Sequence, residues 1–197
     1  LWSIAPHIIY PLRFVLPHHR GLRPSALLRL GLFIYDHLGG RKKLSKSRKI
    51  SFASDEVGQP LRSEFKIGFE YSDCWVDDAR LVLMNARDAA DRGAKVMVRH
   101  EVVSARRESG LWVINTRDRH SATHEFRTRI LVNAAGPWVS QLTDSVIEGA
   151  VHRDMRLIRG SHIVVPKLYA HDRCYLLQNS DGRIVFVIPY EGDFSLI

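Results

Sequence analysis

The stretch Ile130-Leu131-Val132, running into Asn133-Ala134-Ala135-Gly136-Pro137-Trp138, constrains this chain more than any other. Three apolar residues with no polar alternation suit a strand covered on both faces, the condition of a strand inside an α/β sheet. Small residues follow at once, and Pro137 is suited to open a helix, read through Leu142. In open α/β sheets ligands lie beyond the carboxyl ends of such strands, where the next helix offers unpaired N–H groups. A tight strand-to-helix turn with no ligand explains the same spacing equally well.

The surroundings extend that reading. Asp77 and Asp78 open a helix whose small apolar face is Ala79, Val82, Leu83, Ala86, Ala89 and Ala90, and Gly93 closes it. Val96 to Arg99 reads as a strand. Val102 to Glu108 and Leu111 to Thr116 read as a hairpin turned by Ser109-Gly110, with His124 to Arg127 as a third strand. Before this block, Pro6, Pro11, Pro17 and Pro24 suggest irregular or edge structure as far as Pro24. Pro24 then starts a helix to about Leu38, with an apolar stripe of Leu27, Leu30, Ile34 and Leu38, ended by Gly39-Gly40. Residues 45–68 look loop-rich. After residue 150 the pattern changes to strands between turns: Met155 to Ile158, His162 to Val165, Cys174 to Gln178 and Ile184 to Pro189. The expected fold class is α/β (α+β mixed), with segments 1–70, 71–148 and 149–197.

Charge is unevenly spread over the 197 residues, whose formal net charge is +8. Residues 1–50 hold ten Lys/Arg against Asp36 alone, a local charge of +9, whereas the remainder is close to neutral. Such a segment calls for an anionic neighbour: a phosphorylated ligand, a membrane surface or nucleic acid. Aromatic residues interleaved for base stacking are not evident, which leaves nucleic acid with little support. The two cysteines, Cys74 and Cys174, show no CxxC spacing and suit a reducing compartment. No apolar run reaches spanning length and no signal peptide is evident, so the cytosol or the cytosolic face of a membrane is the expected location.

Few residues announce chemistry. His162, in Arg159-Gly160-Ser161-His162, stands between a glycine-loosened turn and a β-branched strand, where a proton acceptor would serve; a structural hydrogen bond or simple exposure is the commoner role of a lone histidine. Arg156, Arg159 and Arg183 add positive charge able to receive a phosphate, or are ordinary surface arginines. The pattern GxGxxG is absent, as are Walker A, GxSxG, HExxH and any metal-spaced cluster.

Three stretches nevertheless resemble one family. They are Arg29-Leu30-Gly31-Leu32-Phe33-Ile34-Tyr35-Asp36-His37-Leu38-Gly39, the long run from Gly68 to Val82 centred on Asp73-Cys74-Trp75, and Gly160-Ser161-His162-Ile163-Val164-Val165-Pro166 with Arg183-Ile184-Val185-Phe186-Val187-Ile188-Pro189. They are similar to the aerobic, FAD-dependent, membrane-associated glycerol-3-phosphate dehydrogenases of the D-amino-acid-oxidase flavoprotein superfamily. The resemblance implies a partial Rossmann-type FAD-binding domain (71–148) interleaved with a β-rich substrate cap (1–70 and 149–197). It implies FAD contacts at Asn133, Ala134, Ala135, Gly136 and Trp138, and a backbone contact to adenine at Val102. It makes His162 the active-site histidine and places Arg183 near the substrate; Arg159 joins Arg183 as a substrate-binding candidate on its charge. The implied partners are glycerol 3-phosphate, a quinone and the anionic inner face of the cytoplasmic membrane, and a homodimer is compatible with them. The family's glycine-rich pyrophosphate loop and an Arg-Tyr pair are expected before Leu1, and phosphate-gripping arginines after Ile197. The chain is therefore expected to be an internal fragment that alone neither holds FAD tightly nor turns over. Alternatives are an amine or amino-acid oxidase of the same superfamily and a non-enzymatic basic membrane-binding module.

Overall fold

The computed structural model describes residues 2–38, 44–149, 151, 155–179 and 181–197. The expected helix end at Gly39-Gly40 and the basic run Arg41-Lys42-Lys43 lie outside them. The chain divides into two compact units, one of residues 1–84 and 161–197, the other of residues 85–160.

The first unit is built on a seven-stranded sheet ordered β2-β3-β1-β8-β9-β10-β7. Its strands are β1 (Ile9–His18), β2 (Arg48–Ser51), β3 (Ile67–Val76), β7 (Val164–Pro166), β8 (Cys174–Gln178), β9 (Ile184–Tyr190) and β10 (Phe194–Leu196). β1 corrects the expectation of irregular or edge structure before Pro24: it pairs antiparallel with β3 over its whole length and parallel with β8 at Phe14 and Val15. Two prolines are tolerated because Pro11 and Pro17 share strand parity, so both lack a donor on the same side of the strand. The short β8 pairing falls between them. Ile67–Val76 thus belongs to this sheet, and the division between units falls at 84/85 instead of near residue 70.

One face of the sheet covers a core of Val15, Ile50, Phe52, Val57, Tyr175 and Val187, with Leu61, Phe65, Tyr169, Leu177 and Ile197 against it. Each such side chain contributes roughly 1.5–3 kcal/mol by leaving water. Two glycines are needed for its closeness. A Cβ on Gly68 would stand 2.4 Å from Phe52 Cζ, and one on Gly58 would stand 2.1 Å from the Phe52 carbonyl oxygen. The opposite face is aromatic: Phe14 stacks on Tyr71 and meets Phe186 edge-on, and Tyr35 meets Tyr71 edge-on.

Tyr35 comes from α1 (Ser25–His37), preceded by Pro24 as its N-terminal cap residue. The helix meets the sheet through Tyr35, whose hydroxyl donates to Ser72 O; Leu28, Leu32 and Asp36 are half-buried, and Asp36 Oδ2 accepts from Ser47 N and Oγ. The stripe read from the sequence points elsewhere: Leu27, Leu30, Ile34 and Leu38 are all more than half exposed. α2 (Asp78–Asp91) is capped by Asp77, whose Oδ1 accepts from Arg80 N–H. It ends in a Schellman turn, with Gly93 at φ +93° and bonds Gly93 N to Ala90 O and Ala94 N to Ala89 O. Its expected apolar face is not buried, for Val82 and Leu83 are both over two-thirds exposed.

The second unit holds an antiparallel sheet of β4 (Glu101–Glu108), β5 (Leu111–Arg117) and β6 (Thr123–Thr128). Ser109 and Gly110 turn the first hairpin with φ +48° and +83°, the two positive angles that match strand twist. Arg107 lies over the Trp112 ring beside that turn. A 3-10 turn at Gly136–Trp138 leads into α3 (Val139–Ser145). Three expected strands are not formed. Val96 to Arg99, Ile130 to Val132 and Met155 to Ile158 pair with nothing among the described residues, and Val98, Ile130, Val132 and Ile158 are each about three-quarters exposed or more. A strand needs a ladder partner to satisfy its backbone, and apolar pattern alone does not supply one.

Candidate functional site

The turn after Val132 is organised by Asn133. Its Nδ2 donates to Val139 O (3.0 Å) and Thr143 Oγ1 (3.2 Å), and its Oδ1 accepts from Ala135 N–H (3.2 Å). One side chain thereby ties the segment after Val132 to the first turns of α3. Gly136 adopts φ +55°, and a Cβ there would meet nothing within 4 Å. Ala134, Gly136, Pro137 and Trp138 are exposed, with Trp138 at 67%. The segment is a rigid, open surface on which a large planar ligand can lie against the backbone. Its exposed small residues leave room for a flat group such as a flavin ring system.

Val102, in the same unit, pairs with Thr116, and the register then slips so that Ser104 pairs with Asn115. Val103 is the extra residue of this bulge, and such irregularities free backbone groups from the ladder for a ligand.

His162 belongs to the first unit. Its neighbour Ile163 exchanges two backbone hydrogen bonds with Ile197, at 2.8 and 2.9 Å, and this fixes the chain at the start of edge strand β7. Val164 is level with Leu196 and Leu196 with Ile188. Strand alternation therefore puts the exposed His162 on the face of Val164, Leu196 and Ile188, the aromatic face, and leaves its imidazole open to solvent. Arg183 lies at the same end of the sheet, in the turn before β9. Two strand spacings and three residues of rise set the two Cα atoms about 14 Å apart. Arg183 Nε is 2.7 Å from Asp181 Oδ2, and the hydrogen bonds and charge of Arg183 hold the Asp181 carboxyl below its usual range. Arg159 is exposed and lies in the other unit, in a stretch without a ladder. The nine residues thus fall into two sets: Val102, Asn133, Ala134, Ala135, Gly136, Trp138 and Arg159 in one unit, and His162 with Arg183 in the other.

Sequence reasoning missed a buried ionic cluster and a basic cleft. Glu70, 2% exposed on β3, receives Arg13 Nη2 at 2.8 Å and Arg48 Nε on Oε2, and Arg173 Nε at 3.0 Å on Oε1. Arg173 also reaches Asp55 Oδ1 (2.8 Å). Burial pushes the Glu70 carboxyl up, but the hydrogen bonds and charges of Arg13 and Arg48 outweigh it and hold it below the ordinary value. The cleft, of about 1070 Å³, is lined by His18, His19, Arg20, Arg62, Phe65 and Lys66 among others, and excludes His162 and Arg183. Its only sequence signal is the run His18-His19-Arg20.

The model of the DAO family, described as FAD dependent oxidoreductase, matches residues 1–197. A D-erythritol 1-phosphate dehydrogenase of Brucella abortus (strain 2308) is 52% identical over 198 positions, covering 100% of this chain and 39% of that protein. A glycerol-3-phosphate dehydrogenase of Pseudomonas aeruginosa is 51% identical (100% of this chain, 38% of that protein). The aerobic glycerol-3-phosphate dehydrogenase of Escherichia coli K12 is 49% identical (100% and 39%). The chain spans about two-fifths of the length of these relatives. It belongs to the DAO family of FAD-dependent oxidoreductases.

Proposed function

We propose that this chain is the middle part of a membrane-associated dehydrogenase that oxidises the secondary alcohol of sn-glycerol 3-phosphate to dihydroxyacetone phosphate. The observation that carries the reading is identity near one half, along the whole chain, to enzymes named as dehydrogenases of phosphorylated polyols. Bound FAD supplies the hydride acceptor, and its electrons pass on to a quinone. The residues of this chain supply position and proton transfer. His162 takes the hydroxyl proton on an imidazole nitrogen as the carbinol hydrogen leaves as hydride, a role suited to an accessible imidazole on a fixed backbone. Arg159 and Arg183 are the candidates for the substrate phosphate, and Arg183 must exchange Asp181 for it. Asn133, Ala134, Ala135, Gly136 and Trp138 hold the flavin edge, and Val102 the adenine.

A second substrate reading has its own support. The Brucella relative is named for D-erythritol 1-phosphate at 52% identity, so a four-carbon polyol phosphate suits the same machinery. The relatives favour phosphorylated polyols over amines or amino acids. The deciding experiment is kcat/KM of the complete protein with sn-glycerol 3-phosphate, D-erythritol 1-phosphate and D-amino acids, using a soluble quinone as acceptor. A preference for the three-carbon substrate supports the proposal, a preference for the four-carbon one replaces the substrate, and turnover of amino acids alone overturns both.

The support for membrane association within this chain is α1. Its stripe of Leu27, Leu30, Phe33 and Ile34 is exposed and has Arg29 alongside, within the segment of charge +9. Such a face suits the headgroup boundary of an anionic bilayer on the cytoplasmic side, where each basic residue adds about 1 kcal/mol. Among the described residues no helix is long and apolar enough to cross a membrane. Leu30→Asp with Ile34→Asp is expected to abolish binding to phosphatidylserine-containing liposomes. Charge reversal at Arg41, Lys42 and Lys43 is expected to weaken it, and unchanged binding in both variants contradicts the placement.

A further inference from the structure

We infer that the far end of the three-stranded sheet is a binding site for a divalent transition-metal ion such as Zn²⁺, made by His100, Asp118 and His124. Their ligand atoms all lie within 4.8 Å of one another, the only such group of His, Cys and acidic side chains among the described residues. Register explains the convergence. Glu101 pairs with Arg117, so His100 stands level with Asp118; Thr116 pairs with His124, so His124 is the diagonal neighbour of Asp118. With side chains alternating, the three come from three adjacent strands and share one face.

Two of the three ligands are held from behind by hydrogen bonds. His100 Nδ1 lies 3.2 Å from the Val98 carbonyl oxygen. A carbonyl only accepts, so the proton sits on Nδ1 and the Nε2 lone pair is free. Asp118 Oδ1 accepts from the N–H groups of His120 (2.8 Å) and Ala122 (3.0 Å), which leaves Oδ2 to point at the site. His124 Nε2 stands 3.0 Å from that Oδ2, with a proton between them that a metal ion replaces. The His100 and His124 rings are 5.5 Å apart between centroids, tilted by 38° and not stacked flat. Hydrogen bonds behind the ligands, of the kind seen at His100 and Asp118, are the usual support of protein metal sites. Two imidazoles and one carboxylate suit Zn²⁺, Co²⁺, Ni²⁺ or Cu²⁺ and not Ca²⁺ or Mg²⁺, which prefer all-oxygen shells. Tetrahedral bonds of about 2.0–2.1 Å need the ligand atoms about 3.4 Å apart, so the longest separation closes by roughly 1.4 Å on binding. The hairpin end that carries the site is exposed enough to allow this, and exposure also leaves a fourth position to water. Val102, proposed for the adenine, stands two residues from His100, so occupancy is read by calorimetry and by the Co²⁺ spectrum and not by turnover.

The test is calorimetric titration of the complete, untagged protein with ZnCl₂, with the visible spectrum of added Co²⁺ as a second readout. The wild type is expected to bind one Zn²⁺ per chain and to give the intense visible bands of four-coordinate Co²⁺. His100→Ala, His124→Ala and Asp118→Asn are each expected to weaken binding at least tenfold. Asp118→Asn keeps an oxygen for the His120 and Ala122 amides, so the turn survives and the loss reports the ligand; matching metal-free melting temperatures confirm this. Absence of saturable binding by the wild type, or wild-type affinity in any of the three variants, overturns the inference.

Discussion

Replacing Glu70 by Gln tests whether the arginine cluster is organised by one buried carboxylate. Glu70 is 2% exposed, while the side chains of Arg13, Arg173 and Arg48 are 25%, 26% and 52% exposed. Removing one member of a buried pair strands the remaining charge and costs about 3–5 kcal/mol. Here solvent screens part of the stranded charge, most of all at Arg48, so the lower end, about 3 kcal/mol, is expected. For a chain of this length that lowers Tm by about 6–12 °C. Arg48→Ala, which removes the most solvated partner, should cost only about 1 kcal/mol. The acid limb gives the sign independently. Because the folded-state pKa of Glu70 lies below its unfolded value, its contribution is fully present above the unfolded value and disappears as pH falls through the folded one. Glu70→Gln should therefore flatten the fall of stability below about pH 5. Thermal melts followed by circular dichroism from pH 3 to 7 supply both readouts. A loss under about 1 kcal/mol at pH 7, or an Arg48→Ala loss equal to that of Glu70→Gln, refutes the reasoning.

Other consequences are equally direct. Gly68→Ala forces a Cβ into the ring of the buried Phe52 and should cost about 1–3 kcal/mol in denaturant melts, whereas Gly160→Ala, with nothing within 4 Å, should cost under about 0.5 kcal/mol. Tyr175→Phe deletes the 2.6 Å hydrogen bond to Val57 O and the His171 partner; a loss of about 1–3 kcal/mol is expected, and a neutral result would show the carbonyl satisfied otherwise. Burial pushes the Cys174 thiol up to about 12, so iodoacetamide at pH 8 should leave it unmodified until the protein is denatured. Peptide mass spectrometry of the native protein checks this, and alkylation of native Cys174 contradicts it.

The elements read well from the sequence are those that carry their own local signal. α2 has its Asp77 cap and Gly93 stop, α1 its proline start, and the β4–β5 hairpin its Ser109-Gly110 turn; all three form close to where the pattern puts them. β1 was hidden because Pro11 and Pro17 mark an edge unless it is known that both lie on the same side of the strand. Ile130 to Val132 shows the converse, since an apolar run is only half of a strand and the other half is a partner elsewhere. β10 was missed because its three residues, Phe194–Leu196, are too short for alternation to show.

The candidate site was legible in a similar measure. Asn133 to Trp138 stood out through small residues after an apolar run, which does not form the expected strand, and the structure adds the Asn133 bonds that fix the turn. His162 stood out by its glycine-loosened turn and by resemblance, but its place on the sheet depends on the pairing of its neighbour Ile163 with Ile197, thirty-four positions away, which no local pattern reports. Glu70 with its arginines, and His100 with Asp118 and His124, converge through strand register, and no sequence spacing reports that.

The most direct test of the proposed function is anaerobic stopped-flow reduction of the complete flavoprotein by sn-glycerol 3-phosphate, in the wild type and in His162→Ala. The account predicts rapid bleaching of the oxidised flavin's visible absorbance in the wild type. In His162→Ala it predicts bleaching slowed by about 10²–10⁴-fold, with flavin content unchanged. Equal bleaching rates would remove His162 from proton transfer, and no bleaching of the wild type by any phosphorylated polyol would contradict the proposed function itself.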